Sequence, residues 1–184
     1  MNCILCGEGA RLVFKSLKKI SVSSDYRLLA QPTEIYQCQH CSHYQKKCDE
    51  KYLASVRTIF DNFKPNPLSE GNDQPKFDNG ILKTRSDVLI ENVKSAFPDK
   101  GDMLDIGTGN GVFIRSFSKH FKKWNLYGFD LNDKYQNQIH GIQGVKGFYT
   151  GKLSTIEKKF DFVSCILVLQ HVDFPVDFIS SIKN

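Results

Sequence analysis

The chain has 184 residues, of which 40% are hydrophobic and 24% charged, and a net charge of +5. This length holds one ordinary domain, or a small one with part of a larger one. The excess charge is spread over pairs such as Lys18-Lys19, Lys46-Lys47 and Lys122-Lys123, which form no stripe and argue against a nucleic-acid footprint.

The N-terminus, Met1-Asn2-Cys3-Ile4-Leu5-Cys6-Gly7, has neither the charged start nor the apolar core of a secretory signal. The longest apolar stretch, residues 160–169, is too short to span a bilayer and is broken by Asp161 and Ser164. The expectation is a cytoplasmic protein without membrane partners. In that reducing compartment, six cysteines serve as metal ligands or buried thiols rather than disulfides.

Residues 1–50 read as a small β domain, with short β-like runs at Arg11-Leu12-Val13-Phe14 and Glu34-Ile35-Tyr36-Gln37-Cys38. Cys3-x-x-Cys6 and Cys38-x-x-Cys41 are two knuckles separated by residues 7–37, room for a hairpin excursion. Four thiolates in paired Cys-x-x-Cys turns make a closed tetrahedral Zn2+ site, structural rather than catalytic. So short a piece buries too little apolar surface to fold alone, and zinc binding, on the order of 10 kcal/mol, would compensate. A redox pair or unrelated buried thiols are the alternatives, and neither accounts for two copies. His40, His43 and Cys48 stand near the second knuckle as bystanders, and Cys165 reads as a core thiol.

Residues 51–80 are assigned as a linker or helical connection, since 61–80 are dense in Pro, Gly, Asn and Asp. From residue 81 to 184 strands and helices alternate. Leu82, Leu89, Ile90, Val93 and Phe97 fall at helical spacing, ended by Pro98 and Gly101. A strand at 103–106 runs into a glycine loop, and Phe113, Ile114, Phe117 and Phe121 mark the next helix. Further strands are expected at 126–129, 145–149 and 160–166, with a weak helix at 133–140 and a last one begun by Pro175. Such alternation predicts an α/β fold with a parallel, doubly wound, Rossmann-like sheet of about four strands, preceded by the zinc-ribbon-like β domain.

The loop reads Asp105-Ile106-Gly107-Thr108-Gly109-Asn110-Gly111. Glycines between strand and helix allow positive φ and close approach of a ligand to the backbone. A dinucleotide fingerprint would place its third glycine at 112, where Val112 stands. Asp105 would also repel a pyrophosphate at the helix start. S-adenosyl-L-methionine (SAM) carries an ammonium and a sulfonium, so the same carboxylate favours it. Asp130, ending the second strand, can accept hydrogen bonds from both ribose hydroxyls, or instead serve as a turn aspartate.

In their order, Leu104-Asp105-Ile106-Gly107-Thr108-Gly109-Asn110-Gly111, Tyr127-Gly128-Phe129-Asp130, Phe160-Asp161-Phe162-Val163 and Leu169-Gln170-His171-Val172 resemble the successive motifs of class I SAM-dependent methyltransferases. The resemblance covers roughly residues 80–184. It implies that Asp105 and the loop hold the methionine end of the cofactor and Asp130, with Leu131, the ribose. Gly151, Lys152 and Leu153 would lie near the adenine, and Ile166 would complete the cofactor-lining set. Many members have an aspartate where Lys152 stands; Lys152 cannot accept from the adenine amino group, so backbone groups must serve.

With the knuckles added, the chain resembles C-methyltransferases that carry a zinc-binding N-terminal domain, several of which act on nucleotide-linked deoxy sugars. Tyr36-Gln37-Cys38-Gln39-His40-Cys41-Ser42-His43-Tyr44-Gln45 is similar to their second knuckle. The resemblance implies a small-molecule, nucleotide-sugar acceptor, and His171 as a catalytic acid/base. Two alternatives stand beside it: a zinc-containing ribosomal RNA methyltransferase, and a non-catalytic SAM- or nucleotide-binding module with a zinc interaction domain. A class I core has seven strands, and four are placed here. The expectation is therefore a fragment of a longer enzyme, inactive by itself.

Overall fold

The computed structural model describes residues 1–18, 20–23, 28–47, 49–62 and 72–183. They fall into two compact units, Met1–Lys64 with Val172–Lys183, and Pro65–His171. Cys48 and the proline-rich stretch 63–71, read above as bystander and linker, lie outside the described residues.

In the first unit, β1 (Ala10–Lys15), β2 (Ser21–Val22), β3 (Leu28–Leu29), β4 (Glu34–Cys38) and β5 (Tyr44–Lys46) precede the helix α1 (Glu50–Asn62). A three-stranded antiparallel sheet is ordered β1-β4-β5. β2 and β3 pair as a short ladder within the excursion between the knuckles. Asp49 starts α1 as its cap, Oδ1 accepting from the Tyr52 amide at 3.0 Å and so satisfying one of the helix's orphan donors.

The second unit opens with a hairpin, β6 (Pro75–Asp78) and β7 (Ile81–Thr84). A loop and then a helix from Leu82 are the sequence expectation here. The two turn residues Asn79 and Gly80 both take positive φ (48° and 79°), the type I′ geometry whose twist matches that of paired strands. Leu82 therefore lies opposite Phe77 in a ladder, and the helix α2 (Arg85–Val93) starts only after Thr84, whose side chain caps the Asp87 amide at 3.1 Å.

After a 3-10 turn at Lys94–Ala96 come β8 (Asp102–Ile106), α3 (Val112–His120), β9 (Asn125–Asp130), α4 (Gln136–His140), β10 (Val145–Thr150) and β11 (Phe162–Ser164). The final helix α5 (Pro175–Lys183) belongs to the first unit. The four strands form one parallel sheet in the order β10-β9-β8-β11. β11 is shorter than the apolar run 160–166. The chain leaves the sheet after Ser164, and Cys165, expected in the core, is only half-buried.

The core of this unit is held by Ile90, Met103, Phe113, Ile114, Phe117, Trp124, Leu126, Ile139 and Ile142. Phe97 meets Phe117, Phe121, Trp124 and Phe162 edge-on, with centroids 4.7–5.9 Å apart, the favoured geometry for ring quadrupoles. The Trp124 indole N–H donates to the Pro98 carbonyl at 3.1 Å, which satisfies its one polar atom. Among the described residues no helix is long and apolar enough to cross a membrane.

Candidate functional site

The strand order reverses between β8 and β11: the first three strands step one way, and β11 crosses back to the far side of β8. Open α/β sheets bind ligands at that switch point, beyond the carboxyl ends of the strands. The glycine loop stands there, between β8 and α3.

Hydrogen bonds hold the loop in shape from several sides. The Gly107 and Thr108 amides donate to the Phe129 carbonyl at 2.8 and 3.1 Å, and the Gly111 amide to the Thr108 carbonyl at 2.9 Å. Arg115 Nη2 and Gln138 Nε2 both donate to the Asn110 carbonyl, at 3.0 and 3.1 Å. Two glycines are required by what surrounds them. At Gly107 (φ 69°) a Cβ would stand 2.3 Å from Val168 Cγ2, and at Gly111 (φ 80°) 2.5 Å from Ile139 Cδ1. Gly109, by contrast, faces open space. Val168 is brought onto Gly107 by Leu167, a non-glycine residue held at φ 57°, the kind of local strain that clusters at ligand sites.

Asp130 Oδ2 accepts from the Gly109 amide at 2.8 Å, and its Oδ1 from the Leu131 amide at 2.8 Å. The carboxylate thus organises loop and turn together, and each oxygen keeps a further lone pair for a hydroxyl. Asp105 is buried (3% exposed) beneath the loop. Its Oδ1 accepts from Ser164 Oγ at 2.6 Å. Burial pushes this carboxyl up to about 6, the Ser164 hydroxyl pulls it down, and the Asp130 charge adds to the rise. When ionised, Asp105 sets a negative charge directly below the loop, its field strengthened by the low dielectric around it.

Thr150 is the register partner of Asp130, so Gly151, Lys152 and Leu153 leave the sheet beside Asp130 and Leu131. Gly151 takes φ 90°, and a 3-10 turn follows at Leu153–Thr155. Lys152 and Leu131 are exposed, while Ile166 packs against the core. His171 is exposed in the 3-10 turn Leu169–His171 beyond β11, its amide donating to the Val168 carbonyl at 2.8 Å. Sequence reasoning missed Ser164, Arg115, Gln138 and Val168. None belongs to a motif, and all four act only because the fold brings them to the loop or to Asp105 below it.

In the first unit the two knuckles have the same backbone form. The Cys3 amide donates to the Glu8 carbonyl (2.7 Å) and the Cys38 amide to the His43 carbonyl (2.8 Å), the same step along the chain. The residue after each second cysteine is left-handed, Gly7 at φ 79° and Ser42 at φ 61°. The four Sγ atoms of Cys3, Cys6, Cys38 and Cys41 lie within 4.8 Å of one another. Neighbouring pairs stand at 3.5–3.6 Å, far beyond a disulfide bond. Amides of His40 and Cys41 point at Cys38 Sγ, both at 3.4 Å. These donors, the Cys41 amide foremost, hold the Cys38 thiol down at about 6. Cys6, despite the Glu8 amide, is pushed up to about 12 by desolvation and the sulfurs around it. Four thiols this close cannot all ionise without a cation among them. His40 and His43 are not part of the cluster.

Compared with known families, residues 81–184 match the family described as "Methyltransferase domain". The match takes in more than half of the chain, which therefore belongs to that family. No curated protein matches. Among solved structures the fold is similar to the plantazolicin methyltransferase in complex with a monoazolic desmethyl analogue and SAH (17% identity, 52% of this chain and 39% of that one, TM-score 0.44). It is also similar to the SAM-bound amino pentose methyltransferase of Micromonospora echinaspora from calicheamicin biosynthesis (17%, 76% and 51%, 0.44). A third is the magnesium protoporphyrin IX methyltransferase of Synechocystis with bound SAM (21%, 53% and 49%, 0.41). The chain spans 39% to 51% of the length of these structures.

Proposed function

We propose that this chain binds SAM at the glycine loop and serves a methyltransferase whose acceptor is a small molecule, a nucleotide-linked sugar by the resemblance of its knuckles. The observation that carries the reading is the pair of carboxylates, Asp105 below the loop and Asp130 beside it, at the switch point of the sheet. Two negative charges there favour a cationic cofactor and oppose a pyrophosphate. Bound SAM supplies a methyl group already activated by its sulfonium. The chain's own residues position it: the loop backbone approaches the methionine end, Asp130 accepts from the ribose, and Gly151, Lys152 and Leu153 border the adenine with backbone groups. Positioning of the two reactants supplies most of the acceleration in such a displacement.

His171 is the residue we assign to moving a proton on the acceptor. It stands at the carboxyl end of the sheet, and a C-acceptor needs a base to become nucleophilic. In the full-length enzyme His171→Gln should lower turnover about a hundredfold, the usual worth of a general base, with SAM affinity preserved. Unchanged turnover would remove the role.

We further infer that Cys3, Cys6, Cys38 and Cys41 hold one structural Zn2+. Zinc–sulfur bonds of about 2.3 Å in a tetrahedron place sulfurs about 3.8 Å apart, close to the 3.5–3.6 Å between neighbouring sulfurs. The test of the whole reading is transfer of labelled methyl from SAM to nucleotide-linked sugars by the full-length enzyme, since the 184-residue chain is expected to be inactive by itself. Label appearing on the sugar supports it. A preparation that binds SAM yet labels no sugar would overturn the assigned acceptor.

A further inference from the structure

We propose that Ser164 is a positioning residue of the cofactor pocket, its hydroxyl pinning the Asp105 carboxylate across the step from β11 to β8. The proposal rests on the SAM reading above. Ser164 and Asp105 are register partners in the parallel ladder, and Ser164 Oγ donates to Asp105 Oδ1 at 2.6 Å, with the Leu104 carbonyl a more distant acceptor at 3.5 Å. Both side chains are buried, at 5% and 3% exposure. Backbone pairing of the strands would be the same with alanine at 164, so the ladder alone does not call for a hydroxyl. A buried carboxylate without a donor is costly, and this hydroxyl is the donor.

The fold makes the pairing specific. Only the crossover from β10 to the far side of β8 sets residue 164 against residue 105, at the point where a ligand enters. A donor to the ionised form favours that form, so Ser164 keeps Asp105 charged and oriented where a cation is to bind. The other charged group that acts on this carboxyl is Asp130 at the end of β9, whose charge opposes ionisation, while the buried Thr108 hydroxyl of the loop makes no hydrogen bond among the described residues. Cys165, next along from β11, is itself raised by burial and by the Asp105 charge.

The experiment measures SAM affinity of the 184-residue chain by calorimetry from about pH 5 to pH 8, together with the unfolding midpoint of the ligand-free chain over the same range. In the parent, affinity should rise with pH as Asp105 ionises near pH 6. Ser164→Ala should move that rise to higher pH, leaving binding about tenfold weaker near neutrality and converging on the parent at the alkaline end. The inflection in the ligand-free unfolding profile should move with it. Ser164→Thr should restore both, and Asp105→Asn should abolish both pH dependences. Equal weakening by Ser164→Ala at every pH, or an Asp105→Asn variant that keeps the parent's inflection, would overturn the proposal. A parent chain that binds no SAM at any pH would overturn the cofactor reading instead, and the ligand-free profile would then decide whether Ser164 holds Asp105 at all.

Discussion

Asp105 is the residue at which stability and ligand binding pull in opposite directions. Its carboxyl is shifted upward, from 3.8 in the free side chain to about 6, so between those values the folded chain holds the proton more tightly than the unfolded one. Its contribution to stability is then greatest below about pH 4, falls as pH rises through the window, and levels off above about pH 6, with about 3 kcal/mol lost across it. Asp105→Asn should remove this slope and leave the ligand-free chain more stable at neutral pH, while weakening its affinity for a cationic cofactor. Unfolding curves at pH 4 and pH 7 check the first part. A variant no more stable than the parent at pH 7 would mean that burial does not penalise this carboxylate. Ser42 offers an independent test at the other unit. Held at φ 61° where its counterpart is Gly7, it should gain about 1 kcal/mol on Ser42→Gly, the release of left-handed strain.

At the scale of elements, the glycine loop is as much a packing joint as a ligand cradle. Gly107→Ala would drive a Cβ to 2.3 Å from Val168 Cγ2, at a φ of 69° that L side chains rarely adopt. A loss of about 2–3 kcal/mol is expected, with SAM binding abolished, measurable by denaturation and calorimetry. Gly109→Ala, facing open space at φ 53°, should cost only the backbone strain of about 1–2 kcal/mol, which separates crowding from conformation. The parallel sheet, the loop and Asp130 were legible because each is local: an apolar run, a glycine cluster, an acid at a strand end. The β6–β7 hairpin was not, because Asn79-Gly80 sits among prolines and polar residues that read as linker and outweighed the turn signal. Ser164 was not legible either. A serine in an apolar run has no meaning until the crossover shows which residue it faces.

For the molecule as a whole, the two units obey different physics. The second has a packed aromatic core. The first exposes Leu12, Val13, Phe14, Leu17, Ile20, Val22 and Leu28 and buries few apolar side chains among the described residues, so we expect its order to depend on a metal held by the cysteine cluster. One Zn2+ per chain is expected by elemental analysis. Its removal by a strong chelator should abolish the structure of the sheet β1-β4-β5 and leave the β10-β9-β8-β11 sheet folded, as site-resolved hydrogen exchange would show. A chelated protein with both sheets equally protected would exclude a structural metal.

Two carboxylates at the switch point of a sheet should select a cation. Titrating the chain with SAM and with NAD in the same calorimeter at neutral pH decides whether they do. Saturable binding of SAM at one site, lost on Asp130→Asn, with no heat from NAD, is the predicted result. Binding of NAD in preference to SAM would contradict it.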